Sequence, residues 1–303
     1  MDINKYTLKK RWDGNRLLRM ASLMPEDIFE ILHFARLLRM RLNAGERVHY
    51  LRGKTIAVLS CKPLSPCEKF SLGRAIKTLG GSPVYLPDCD ADDFLPDTAS
   101  ALAKIGADCV VLKGFDAASV RLAERRTTVP MLNLNSDASA PCQALADLLT
   151  LWDKLGTFSG KKLAVFGVDT PAVNSMLCAA VKVDLSVHAC YPEGVKPDPP
   201  IMNHIAQFGE IVFEDAEDAV RGADAVYTDR ATDGGAFCEN TVDAVLMSFA
   251  KPGAAFLHPL PLGRGKEVTD DIADGENSLI YREAENLFYI FAAAFGLLLG
   301  VDD

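Results

Sequence analysis

Several features that would assign a chemistry at once are missing from this 303-residue sequence. The eight cysteines contain no C-x-x-C pair. Most fall in or beside expected strands and helices, as reduced, buried thiols of a cytoplasmic protein do. The five histidines lack metal-ligand spacing, so no metal site is expected. No G-x-G-x-x-G follows any expected strand. Gly167-Val168-Asp169-Thr170-Pro171 stands in the right place but has a single glycine, which excludes a dinucleotide site, and no cofactor is expected. No G-x-S-x-G elbow is present. There is no polybasic run, and a net charge of −9 argues against nucleic acid or an anionic membrane as partner. The longest apolar stretch, Leu287 to Val301, falls short of the roughly 18–20 residues that span a bilayer and reads as a helix buried on all sides. Met1 to Arg19 is basic and polar, without the apolar core of a signal peptide.

What is present is alternation. Pro25, followed by Glu26 and Asp27, opens a helix to about Asn43, with Ile28, Ile31, Leu32, Ala35, Leu38 and Leu42 on its buried face. A strand over Thr55–Leu59 and a helix from about Cys67 to Leu79 follow. Strands at Pro83–Leu86, Cys109–Leu112 and Val129–Leu132 then alternate with helices near 95–105 and 116–125, and Pro87 to Phe94 forms an acidic loop. Pro141 opens a helix that Gly156 closes. A second alternation starts at Lys161, with strands over 163–166, 185–188, 210–213, 225–227 and 254–257 and helices near 172–182, 199–208, 215–221 and 239–249. Two such units imply an α/β protein of two doubly wound parallel-sheet domains. The expected division is 1–150 plus a C-terminal helix 283–303 against 151–282.

Ligands in such folds gather at the C-terminal ends of strands, here between the domains. The residues that follow the strands are therefore the candidates: Ser65 to Lys69, Lys113, Ala140 to Gln143, Asp169 to Asn174, Thr228 to Arg230, and His258 to Arg264. A turn feeding a helix N-terminus attracts anions, but at Ser65-Pro66-Cys67-Glu68-Lys69 the carboxylate of Glu68 sits where an anion would go. Two readings stand there, ordinary capping by Glu68 and an anion site using Lys69. His258, fixed by Pro259 and Pro261, is either a functional imidazole or a structural one. Asp229-Arg230 is either a site or a local ion pair, and Gln143 either a ligand group or a helix-end partner.

These residues carry a resemblance to the aspartate/ornithine carbamoyltransferase family over about Pro25 to Gly300. The matching stretches are Leu51-Arg52-Gly53-Lys54-Thr55, Leu79-Gly80-Gly81, Pro141-Cys142-Gln143-Ala144-Leu145-Ala146-Asp147-Leu148-Leu149-Thr150, His258-Pro259-Leu260-Pro261 and Glu283-Ala284-Glu285-Asn286. The resemblance implies a first domain that binds carbamoyl phosphate and a second that binds an amino acid. It also implies a final helix packed on the first domain and a homotrimer with shared sites. Gln143 and His258 would be the catalytic groups. Ser65, Cys67, Glu68, Lys69 and Lys113 would lie on the phosphate side, and Asn174, Asp229, Arg230, Leu260 and Arg264 on the amino-acid side.

The departures shape the functional expectation. The family's Ser-Thr-Arg-Thr-Arg phosphate loop is here Ser65-Pro66-Cys67-Glu68-Lys69, its Arg-His is Lys113-Gly114, and its His before Pro-x-Gln is Ala140. The loop that normally carries a Lys into a neighbour's site is short and acidic, Asp88 to Asp93. Leu262 stands where an Arg follows His-Pro-Leu-Pro, with Arg264 nearby as a substitute. A charge-assisted hydrogen bond contributes roughly 1.5–3 kcal/mol, and lysine does not reproduce arginine's bidentate grip. Three or four lost contacts remove roughly 5–10 kcal/mol, on the order of 10⁴- to 10⁷-fold in affinity. The leading expectation is thus a family member that has lost ordinary carbamoyl transfer and serves as a non-catalytic trimeric subunit, a partner of an active paralogue or a sensor of a small molecule. The alternative is an active enzyme with an altered donor or acceptor, using His258, Gln143, Lys69 and Arg264.

Overall fold

The computed structural model describes residues 16–89, 94–167, 169–192, 195, 197–229 and 241–300. It contains two α/β domains, each with a five-stranded parallel sheet. By internal contacts the chain divides into one unit built on Phe29–Cys142 with the last helix from Leu287, and another built on Met20–Ile28 and Gln143–Asn286.

The first sheet comprises β1 (Arg16–Leu17), β2 (Thr55–Ser60), β3 (Ser82–Leu86), β4 (Cys109–Lys113) and β5 (Met131–Asn135), in the spatial order β1-β5-β4-β2-β3. Its helices are α1 (Pro25–Asn43), α2 (Pro66–Thr78), α3 (Leu95–Lys104) and α4 (Ala117–Arg126), and α5 (Pro141–Leu155) leads onward. Strands β2 and β4 are continuous apolar runs with buried side chains, as expected of a sheet covered on both faces. Leu59, Val110, Leu112 and Met131 form a core with Leu95, Ala99, Val120 and Ala123 of α3 and α4.

The second sheet comprises β6 (Lys162–Phe166), β7 (Ser186–Cys190), β8 (Ile211–Phe213), β9 (Ala225–Thr228) and β10 (Ala255–Leu257), in the order β10-β9-β6-β7-β8. Between and after them run α6 (Pro171–Lys182), α7 (Pro199–Ile205), α8 (Ala216–Val220), α9 (Ala244–Met247), α10 (Asp270–Ala273) and α11 (Ile280–Leu299). Lys182, at the end of α6, gives its ammonium to the carbonyls of Met20, Ala21 and Leu23 at 2.8, 3.1 and 2.6 Å. From Leu287 to Leu298 α11 is buried nearly throughout. No helix among the described residues is long and apolar enough to cross a membrane.

The differences from the sequence-based expectations have local causes. Strand β1 is two residues long and carries no pattern of its own; its register comes from β5, Arg16 opposite Met131. The helix expected near 239–249 is confined, among the described residues, to Ala244–Met247. Val242 forms a bridge with Val268, and Asp243 caps the helix late through the N–H of Leu246 at 2.8 Å. Asp90, Asp92 and Asp93 of the acidic loop lie outside the described residues.

In both sheets the strand order reverses beside the first long strand, between β2 and β4 in one and between β6 and β9 in the other. The crevice at such a reversal is where α/β sheets take ligands. These two crevices hold most of the candidate residues.

Candidate functional site

At the first reversal, Ser65 caps α2 in a complete capping box. The Glu68 N–H donates to Ser65 Oγ at 3.2 Å, and Glu68 Oε2 accepts the Ser65 N–H at 2.8 Å. The second carboxylate oxygen, Oε1, accepts Lys113 Nζ at 2.7 Å, from the end of β4 where the register with β5 shifts. The side chains of Lys113 and Glu68 are only 12% and 20% exposed, so the pair is shielded well beyond an ordinary surface ion pair. Gly114 lets β4 turn here. It has φ +82°, and a Cβ would stand 2.8 Å from Lys62 Cβ. Capping and charge pairing thus coexist in Glu68. Lys69 points elsewhere, with Nζ 5.3 Å from the ring centre of Tyr85, whose hydroxyl donates to the Lys69 carbonyl at 3.2 Å. Cys67 is a half-buried reduced thiol in the first turn.

At the second reversal, Thr170 caps α6 through the Val173 N–H and donates its hydroxyl to Asp229 Oδ2 at 2.6 Å, joining the ends of β6 and β9. Asn174, one turn into α6, donates Nδ2 to Asp169 Oδ1 at 2.6 Å. Its own Oδ1 is buried without a donor, as is Tyr191 Oη. Burial, with the Asp169 charge nearby, holds the Tyr191 hydroxyl in its protonated form. Gly167 admits the Tyr191 ring, since a Cβ there would meet ring carbons at 3.1 Å. Sequence reasoning gives no individual role to Asp169, Thr170 or Tyr191, although the position of the first two directly after a strand is a signal.

His258 follows β10 and is fully buried. Its Nδ1 lies 2.6 Å from the Pro259 carbonyl, a geometry that places the proton on Nδ1 and leaves Nε2 as an acceptor; no partner reaches Nε2. Burial lowers its pKa while the charges of Asp229 and Glu267 oppose that shift, so the imidazole is neutral near pH 7. Glu283 Oε2 accepts the backbone N–H of His258 at 2.9 Å and fixes the loop. Gln143 donates one Nε2 hydrogen to Asp147 Oδ1 at 2.7 Å, which leaves its carbonyl oxygen and its second N–H to offer a ligand. The spacing of Gln143 and Asp147, one helical turn apart, is the sequence signal for this pair.

The remaining candidates are dispersed. Leu260 is half-buried, packed against the hydrophobic core that includes Phe166, Val226 and Phe256. Arg264 is clasped by Asp270 at 2.7 Å and by Asp274 at 2.7 and 2.8 Å, on an exposed edge. Arg230 lies outside the described residues.

The chain matches two family descriptions in series, the carbamoyl-P binding domain of aspartate/ornithine carbamoyltransferase over residues 15–153 and its Asp/Orn binding domain over residues 159–298. It is 34% identical to the ornithine carbamoyltransferase of Pyrococcus abyssi, over 95% of this chain and 96% of that one. Among solved structures, the ornithine carbamoyltransferase of Pyrococcus furiosus superposes with a TM-score of 0.89 at 32% identity, covering 96% of this chain and 98% of that one. The enzyme from Thermus thermophilus gives 0.84 at 30%, with 95% and 99% covered. These likenesses overturn the expectation of a non-catalytic subunit or sensor. Relatives at 31–34% identity along nearly the whole chain bear the name of an active enzyme. A substituted phosphate loop does not by itself decide what the whole protein does.

Proposed function

We propose that this chain, which belongs to the aspartate/ornithine carbamoyltransferase family, is an active carbamoyltransferase whose donor site is altered. It transfers the carbamoyl group of carbamoyl phosphate to the amino group of an amino acid. Residues 1–150 with 283–303 serve the donor, and 151–282 serve the acceptor. The observation that carries the reading is the second crevice. Asp229, Asp169, the Asn174 carbonyl and His258 Nε2 supply hydrogen-bond acceptors there, which suits a substrate rich in N–H donors.

In the reaction the acceptor's amine nitrogen attacks the carbamoyl carbon, the C–N bond forms, and the bond to the phosphate oxygen breaks. Nε2 of His258 is in the right protonation state to take the proton the amine loses. On the donor side Lys113 and the α2 N-terminus are the groups that can receive the departing phosphate. Both are engaged by Glu68, so the donor must displace that carboxylate, and its grip is weak for the family.

The homotrimer expected from the family is part of the same proposal. It is supported by the exposed outer edge of β3 and by the groove of about 950 Å³ beside it, lined by Phe70, Arg74, Lys77 and Tyr85. Phe70 is 71% exposed there, an unusual position for a large apolar ring. A cytoplasmic location fits the reduced cysteines.

The test is phosphate release from carbamoyl phosphate with a panel of amino acids, including ornithine and aspartate. Ureido product formed in step with phosphate on at least one of them is the expected result. Rates equal to the enzyme-free blank on every one overturn the proposal.

A further inference from the structure

Helices α5 and α11 are joined by two polar rungs spaced three residues apart, Asp147 with Glu283 and Thr150 with Asn286. The upper rung is conventional, Asn286 Nδ2 donating to Thr150 Oγ1 at 2.9 Å. The lower rung sets two carboxyls against each other at 0% and 1% exposure. Each has one oxygen with a donor: Asp147 Oδ1 receives Gln143 Nε2 at 2.7 Å, and Glu283 Oε2 receives the His258 N–H at 2.9 Å. Asp147 Oδ2 and Glu283 Oε1 receive no amide or backbone donor. The two carboxyls are hydrogen-bonding neighbours, with the Tyr227 hydroxyl also beside Asp147, so a proton held between them supplies the donor that neither carboxylate can give the other.

We propose that Asp147 and Glu283 hold one proton between them, and that this shared proton sets the positions of Gln143 and of the His258 loop. The charges around the pair support it. From the end of β9 it faces Tyr227 and Asp229, and after β10 it faces His258, which is neutral and also feels the charge of Glu267. Among the described residues no cation is in this set. Arg282, adjacent to Glu283 in sequence, reaches Asp153 at 3.6 Å and Glu285 at 2.6 Å. Two carboxylates side by side without a counter-cation cannot both ionise in a low-dielectric interior. Burial accordingly pushes Asp147 up to about 7 and Glu283 well above the carboxylate range. The role in catalysis rests on the carbamoyl-transfer reading; the shared proton does not. Asp147 and Glu283 are positioning residues, since each acts through Gln143 or the His258 backbone.

The experiment is infrared difference spectroscopy at pH 6 between the wild-type protein and the Asp147→Asn/Glu283→Gln double variant. A protonated-carboxyl C=O band present only in the wild type is expected. A difference spectrum with carboxylate bands alone overturns the proposal. If the double variant does not fold, Tm against pH in either single variant decides the same point. The pair retains its proton in the folded state above the pH at which an unfolded carboxyl loses it. Its contribution is therefore complete below about pH 4 and lost as pH rises through the raised values of the two carboxyls, about 7 for Asp147 and well above the carboxylate range for Glu283. Wild-type Tm should fall more steeply over that window than the variant's, and parallel curves overturn the proposal. Where the protein turns over, Asp147→Ala should lower kcat with KM little changed, and Asp147→Asn should restore part of it. Absence of turnover in the wild type would count against the carbamoyl-transfer reading and leave the infrared and Tm results standing.

Discussion

The two crevices share a topology and differ in how their polar groups are matched. In the first, Glu68 satisfies the Ser65 N–H and the Lys113 ammonium together. In the second, Asn174 Oδ1, Tyr191 Oη and His258 Nε2 remain without partners although buried. Unmatched buried polar atoms are costly, so the second crevice is prepared for a ligand that brings donors to Asn174 and His258 and an acceptor to the Tyr191 hydroxyl. The first is prepared for none until its internal ion pair opens. Sites built on one plan can thus stand at opposite ends of preorganisation, and here the second crevice, the acceptor side of the proposed reaction, is the prepared one.

This contrast can be broken most severely at His258. Replacing it with Asn removes the base and should lower kcat by about 10²- to 10⁴-fold, measured by ureido product formation. A loss of less than tenfold would move the proton transfer elsewhere. Next in size is Asp229→Asn, which removes a charge from the acceptor side. The acceptor KM should rise by about 10- to 100-fold with the carbamoyl phosphate KM nearly unchanged, as expected for one charge-assisted hydrogen bond of roughly 1.5–3 kcal/mol. Equal effects on both KM values would erase the distinction between the crevices. A smaller effect sharpens it through pH. Burial lowers the His258 pKa, so the imidazole becomes protonated, and Nε2 unable to accept, only below the ordinary value of 6.5. The acid limb of kcat/KM should lie below that value, and a limb above it would assign the titration to another group.

Much of the fold could be read along the chain, because β–α alternation and helix starts are local signals. Pro25 with Glu26 and Asp27, and Pro141 before a run of apolar residues, mark helices wherever they occur. The short strand β1 left no such trace, since two residues cannot display a period. Within the site, the residues that follow strands could be found, but their pairings could not. Glu68 meets Lys113 across 45 positions, and Asn286 meets Thr150 across 136. Nothing in a local pattern reports such distances. Arg264 shows another side of this. The sequence places it near His258 as an amino-acid-side candidate, and its ion pairs with Asp270 and Asp274 are contacts that its local pattern does not announce. The substituted phosphate loop was legible residue by residue, but its consequence for activity was not, because a site's output depends on groups contributed from elsewhere in the fold.

The most direct test of the contrast is a pair of KM values for Glu68→Gln. Removing the internal anion frees Lys113 while keeping side-chain size, and relief of one like charge is worth about a factor of ten. A carbamoyl phosphate KM lowered by about tenfold and an acceptor KM left where it was are expected. A carbamoyl phosphate KM that stays constant or rises would contradict the contrast, for Glu68 would then be part of the donor site and not its occupant.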